Sequence, residues 1–219
     1  ILSIVGPSGC GKSTLLSVIA GLLPNATGRI LIKGDVIRGS SEHIGYMLQR
    51  DNLLEWRSIF SNVLFGLEMQ HKKTPKTVAR ANELLTTYGL SDFKEKYPRQ
   101  LSGGMRQRVS LIRTLAAGSD ILLLDEAFSA LDYQTRLAVT EDVYAILKSE
   151  GITTLMVTHD IPESISMGDR VLILSRRPAQ VKEIYPITFS GNRTPLSCRA
   201  DARFSQYFDH IWKELDAHE

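Results

Sequence analysis

The stretch "ILSIVGPSGCGKST", Ile1 to Thr14, decides the fold. Ile1 to Val5 is a short apolar run, the pattern of a parallel strand buried on both faces. It stops at Gly6, and an apolar-periodic helix begins at Lys12 and runs to Ala20, where Gly21 closes it. Between them lies "GPSGCGKST", in which Gly6, Gly11, Lys12 and Ser13 fill the whole phosphate-loop pattern. The segment Gly6, Pro7, Ser8, Gly9, Cys10, Gly11 would wrap phosphates in backbone N–H groups, with Thr14 continuing the cradle into the helix. The Lys12 ammonium would reach the β- and γ-phosphates, and the Ser13 hydroxyl would bind Mg²⁺.

The matching acid lies in "ILLLDE", Ile121 to Glu126. A parallel strand delivers its C-terminal residues to the ligand crevice, so Asp125 is placed to support Mg²⁺. Glu126, expected to point the other way along the pleat, can take a proton from water. A second anion site is legible in "LSGGMRQR", Leu101 to Arg108: Ser102 caps a helix whose first residues, Gly103 and Gly104, leave N–H groups bare.

The rest of the chain alternates strands and helices. "GRILIKGD" (Gly28 to Asp35) reads as a strand and turn, and "HIGYMLQ" (His43 to Gln49) as a strand. From about 61 to 118 the apolar spacing is helical, carried by Val78, Ala81, Leu85 and Tyr88 and again by Met105, Val109, Ile112 and Ala116. Strands return at Ile121, at "TTLMVTH" (Thr153 to His159) and at "RVLILS" (Arg170 to Ser175), with a helix through Leu137, Thr140, Tyr144 and Leu147. This predicts an α/β fold of the P-loop NTPase type, with a mostly parallel sheet and an inserted helical subdomain. After Pro178 the pattern weakens into a tail, about 178–219, with one helix through Phe204, Phe208, Ile211 and Leu215. We read 1–219 as a single domain that opens in mid-strand and is expected to lack its natural beginning.

The bulk numbers agree. A chain of 219 residues, 43% hydrophobic, supports one ordinary core. A net charge of +2 argues for no strongly charged partner. Cys10 and Cys198 lack metal-ligand spacing, and no run is long enough to span a bilayer.

Together these motifs resemble the ATP-binding cassette (ABC) family of ATPases. Gly6 to Ser13 is similar to its Walker A loop, Ile121 to Asp125 to Walker B, and Glu126 to its catalytic glutamate. Leu101 to Met105 is similar to the family's signature sequence. Gln49 falls where the family has its Q-loop, "SALD" (Ser129 to Asp132) resembles the D-loop, and His159 resembles the switch histidine. The resemblance implies ATP and Mg²⁺ as cofactors, with Ser13, Gln49 and Asp125 at the metal. It implies Glu126, His159, Gln49 and Lys12 in catalysis. It also implies a head-to-tail pair, in which Ser102, Gly103 and Gly104 serve the nucleotide of the second copy, and it adds Asp132 to the nucleotide-binding residues. The family stacks adenine on an aromatic residue upstream of Walker A, and that segment is not in this sequence.

Two classes compete. One is the ATPase subunit of a membrane transporter, and the other a soluble ABC protein acting on nucleic acid or the ribosome. A single cassette without a heptad run or basic tail favours the transporter, with no nucleic acid partner. "QRDNLLEWRSIFSNVLFGLE" (Gln49 to Glu68) and "SRRPAQVKEIYPITF" (Ser175 to Phe189) resemble bacterial importers of the nitrate, sulfonate, taurine and thiamine-precursor group. The resemblance implies transmembrane permease subunits, an extracytoplasmic solute-binding protein met only indirectly, and a peripheral place on the cytoplasmic face of the cell membrane.

Three expectations concern single residues. Leu53, Leu54, Trp56, Ile59 and Phe60 form an apolar cluster that is either core or a groove for a permease helix. Cys10 is either a reactive thiolate in the loop or a buried thiol behind it. Arg106 and Arg108 read as a solvated helix face, and Met47, Met69 and Met105 as packing.

Overall fold

The computed structural model describes residues 1–24 and 27–216. The chain enters on β1 (Leu2–Val5), turns through the glycine-rich loop and winds into α1 (Lys12–Ile19). A hairpin of β2 (Ile30–Ile32) and β3 (Asp35–Ile37) forms its own two-stranded sheet. After β4 (Ile44–Met47) come α2 (Ile59–Met69), α3 (Pro75–Thr87) and α4 (Gly103–Ala116). The α/β alternation resumes with β5 (Ile121–Asp125), α5 (Tyr133–Glu150), β6 (Thr153–Val157), α6 (Ile161–Met167) and β7 (Arg170–Leu174). The chain finishes on β8 (Val181–Pro186), α7 (Pro195–Ala200) and α8 (Arg203–Asp216).

The main sheet runs β4-β5-β6-β1-β7-β8. Every pairing is parallel except β7 with β8. This is the expected mostly parallel α/β sheet. Parallel strands carry their carboxyl ends to one edge, so the loops after β1, β5 and β6 share that edge. Leu122, Leu123 and Leu124 of β5 are all at most 1% exposed, because both faces of the strand are covered.

The helices start where small polar side chains can cap them. Ser58 accepts from the Ser61 N–H at the head of α2, and Thr74 forms a reciprocal capping box at α3 with Pro75 at the first helical position. Helix α4 is amphipathic on two sides. Val109 and Ile112 pack with α2 and α3, while Leu111 turns toward the core of the main sheet.

Several details differ from the sequence reading. Strand β8 was not anticipated: its alternating half-buried pattern is that of a sheet edge, a weaker signal than a buried run. The apolar cluster after Gln49 divides. Leu53 and Ile59 are buried and Ile59 opens α2, whereas Trp56 is 75% exposed. Met47 is buried and Met105 packs against the α2–α3 side, but Met69 is exposed at the end of α2.

Candidate active site

The glycine-rich loop leads into α1 through Gly11 at φ 109°, a left-handed value that a side chain would strain. Ser8, Gly9, Gly11, Lys12, Ser13, Thr14 and Glu126 line a cleft of about 230 Å³. Lys12 is buried, and its Nζ donates to the carbonyls of Gly6 (2.8 Å) and Pro7 (3.1 Å). The ammonium thus sits folded over the loop, at the mouth of a cradle of N–H groups.

Ser13, at the start of α1, meets Asp125 at the end of β5 although β6 separates β5 from β1, the strand that leads into α1. Ser13 Oγ donates to Asp125 Oδ1 at 2.8 Å. The other carboxylate oxygen accepts from the Tyr46 hydroxyl at 3.0 Å. Burial pushes the Tyr46 phenol above its ordinary range, which keeps it a donor to Asp125. Tyr46 was missed in the sequence because its role depends on β4 lying beside β5, a pairing that no local pattern announces.

Glu126 does not follow the pleat as expected. β5 ends at Asp125, and Glu126 takes φ 48° while its N–H donates to Val157 O of β6. This left-handed turn, not strand alternation, aims its carboxylate. His159, beyond the end of β6, brings Nδ1 to 3.3 Å from Glu126 Oε2. The imidazole is more than half exposed and the carboxylate about a quarter, so both face the open edge.

Gln49 stands apart from the Ser13–Asp125 pair. Its amide donates to Ser129 Oγ at 3.1 Å, and Ser129 Oγ donates to the Glu126 carbonyl at 2.9 Å. Ser129 therefore ties the Gln49 loop to the turn carrying Glu126. Asp132 caps α5, accepting from the Thr135 N–H at 3.0 Å, and hydrogen bonds from Thr135 hold its carboxyl below the usual range.

Ser102 caps α4 by accepting from the Met105 N–H at 3.3 Å. Ser102 and Gly103 are exposed, and Gly104 is buried against α5. A β-carbon on Gly104 would lie 2.7 Å from Val139 Cγ2, so this glycine is also a requirement of α4–α5 packing. None of the three lines the phosphate cleft of its own chain.

Arg106 is not a solvated side chain. It donates to both carboxylate oxygens of Asp51, at 2.8 and 3.2 Å, and to Glu55 at 2.7 Å. Those bonds, Asp51 first, raise the guanidinium pKa further. Burial alone would raise the Asp51 carboxyl, but the Arg106 and Leu53 hydrogen bonds outweigh it and the net shift is downward. Ser110 and Arg113 add bonds to the Asp51 carbonyl at 3.0 and 2.8 Å. The loop after Gln49 is thus clamped to α4, the helix that Ser102 caps. Arg108 lies 3.6 Å from Asp142, a looser surface pair.

Glu163 also escaped the sequence reading. It is 5% exposed at the start of α6, and burial raises its carboxyl to about 7. Cys10 takes the buried alternative. Its thiol packs with Ile4, Leu16 and Leu174 behind the loop, away from the phosphate cradle.

The ABC transporter family model matches residues 1–129. The chain is 46% identical to an ABC transporter ATP-binding protein of Bacillus subtilis, YtlC, over 99% of this chain and 84% of that protein. It is 43% identical to the taurine import ATP-binding protein TauB of Rhizobium johnstonii, over 97% of this chain and 81% of the relative. Identity to TauB of Escherichia coli is 38%, over 96% of this chain and 84% of that one.

Proposed function

The chain belongs to the ABC transporter family of ATP-binding proteins, and on that premise we propose that it powers import of a small solute as one of a head-to-tail pair. The observation that carries the reading is the shared edge of β1, β5 and β6, where Ser13, Asp125, Glu126 and His159 converge on one glycine-rich loop. The TauB relatives, named for taurine import, support import as the direction of transport.

Each residue has a distinct part. Loop N–H groups and Lys12 bind the phosphates. Ser13 and Asp125 offer hard oxygens suited to Mg²⁺. Among the described residues no group of three His, Cys, Asp or Glu side chains forms an all-protein cage, which fits an ion shared with phosphates. When bound, Mg²⁺ would neutralise phosphate charge. Glu126 takes the proton of the attacking water, and His159 holds that carboxylate in line and senses the γ-phosphate. Gln49 reports on the same turn through Ser129.

The exposed N-terminus of α4 serves the second copy. One loop cannot enclose a γ-phosphate from both sides, and a facing helix N-terminus adds positive potential there. Among the described residues no helix is long and apolar enough to cross a membrane. The chain would reach the cytoplasmic face of the membrane through permease subunits, with Trp56 as the exposed anchor.

Sedimentation with Mg-ATP tests the arrangement. Lys12→Ala is expected to weaken nucleotide binding by the single chain. Ser102→Arg is expected to leave that binding intact and to abolish ATP-driven pairing. Equal loss of single-chain affinity in both variants would remove the case for a site completed by a second copy.

A further inference from the structure

Glu126 and His159 sit on separate segments, and one side chain of α5 is bonded to both segments. Glu126 opens the turn between β5 and α5. Ser129 N–H donates to its carbonyl at 3.1 Å, and Leu131 N–H donates to the Phe128 carbonyl at 3.2 Å. His159 lies in the connection between β6 and α6. Arg136 reaches back from near the start of α5. Its Nη2 donates to the Leu131 carbonyl at 3.0 Å, and its Nη1 donates to Asp160 Oδ2 at 3.3 Å.

The residues on either side of His159 are anchored elsewhere as well. Thr158 N–H donates to the Ile4 carbonyl of β1 at 3.2 Å, and Thr158 Oγ1 accepts from Asp160 N–H at 3.0 Å. Asp160 Oδ1 caps α6, accepting from Glu163 N–H at 2.8 Å. Its other oxygen takes the Arg136 bond, so this one carboxylate joins α6 to α5. With His159 Nδ1 at 3.3 Å from Glu126 Oε2, the contacts close into a circuit: Glu126, Leu131, Arg136, Asp160, His159. Helix stability alone does not call for an arginine here. The guanidinium lies near the positive end of the α5 dipole, the less favourable end for a cation. Among the described residues its Nε is buried without a partner, a cost that buried donors rarely carry.

We propose that Arg136 is a positioning residue for hydrolysis: it fixes the loop carrying His159 to the turn carrying Glu126, and so keeps the imidazole against the carboxylate. The inference rests on the parts given to Glu126 and His159 above. Arg136 does not line the phosphate cleft, so it acts through the Leu131 carbonyl and the Asp160 carboxylate. Its removal therefore bears on turnover and leaves nucleotide affinity alone.

The test is a double-variant cycle read in kcat, KM and melting midpoint. ATP hydrolysis by the assembled transporter and thermal melts of the chain are compared for wild type, Arg136→Ala, Asp160→Asn, the two combined, and His159→Ala. Arg136→Ala is expected to lower kcat about 10–100-fold, the scale of a small misplacement of reacting groups, with KM unchanged. Asp160→Asn keeps an oxygen to cap α6 and loses the charge that faces Arg136, so it should lower kcat as far. The combined variant should fall no further than either alone, because both remove one link. Unchanged kcat in Arg136→Ala, a loss of kcat that only follows the fall in midpoint, or additive losses would each overturn the proposal. If Arg136→Ala does not fold, Asp160→Asn decides: lowered kcat at the wild-type midpoint supports the link, and wild-type kcat overturns it. If His159→Ala keeps wild-type turnover, the reading of the active site itself fails, whatever Arg136 does.

Discussion

Glu126 leaves β5 in a left-handed conformation that a non-glycine residue adopts at a cost of about 1–3 kcal/mol. The strain is held by the Val157 hydrogen bond and by Ser129, and it sets the carboxylate beside His159. Glu126→Gln keeps this shape and removes the proposed base. Nucleotide binding should persist while phosphate release by the assembled transporter falls roughly 10²–10⁴-fold. Wild-type turnover in that variant would assign the base elsewhere. Glu163 offers a second test, in pH. Its folded carboxyl sits near 7, above its ordinary 4.5, so the folded state binds a proton that the unfolded chain has already lost. Stability from this group is complete below the unfolded value and is lost as pH rises toward 7, by at most about 3 kcal/mol. The charged neighbours that act on it are Asp160, Arg136 and His159. Thermal melts from pH 4.5 to 7.5 should show Glu163→Gln flattening this decline. Parallel wild-type and variant curves would refute the assignment.

Helix α4 joins the Ser102 cap, the anion site proposed above, to the Gln49 loop along its side. The Arg106–Asp51 pair is bidentate and about four-fifths buried at the carboxylate. Among the described residues, Arg106→Ala leaves the Asp51 carboxylate with the Leu53 backbone N–H as its hydrogen-bond donor, at an expected cost of about 1.5–3 kcal/mol. ATP hydrolysis in the intact transporter should fall further than that loss predicts, because the loop carrying Gln49 is no longer fixed to the helix. Loss of activity in proportion to loss of fold would reduce the clamp to a structural tie. At the other end of α4, Gly104→Ala should destabilise by about 1–3 kcal/mol through overpacking against Val139. Val139→Ala in the same chain should restore the midpoint. If it does not, the glycine is not there for α4–α5 packing.

Over the whole molecule, exposure separates the residues that hold the fold from those proposed to meet a partner. Leu53 and Ile59 are core, while Trp56, only a few positions away, stands 75% exposed. Trp56→Ala should move the melting midpoint by no more than about 0.5 kcal/mol of stability. It should reduce co-purification with the permease subunits. A large fall in the midpoint with normal co-purification would place Trp56 in the core instead.

The sequence alone determined the class of fold and the strand–glycine-rich-turn–helix at its start. Those signals are local: an apolar run, glycines where backbone must approach an anion, and a lysine and serine at fixed offsets. The pairing of Ser13 with Asp125 was also within reach, since parallel strands deliver their carboxyl ends to one edge. What lay outside local pattern was everything set by which strands and helices became neighbours. Tyr46 reaches Asp125 only because β4 lies beside β5. Arg106 looks like a solvated charge until the loop at Asp51 packs against α4. Cys10 sits in the loop's sequence yet faces the core, because strand and helix together turn that side chain inward. Edge strand β8 carries only a half-buried alternation, and it is β7, through its backbone hydrogen bonds, that makes it a strand. Periodicity records how much of a side chain is buried; its partner is decided by tertiary packing, where the hydrogen bonds and charges of distant segments meet.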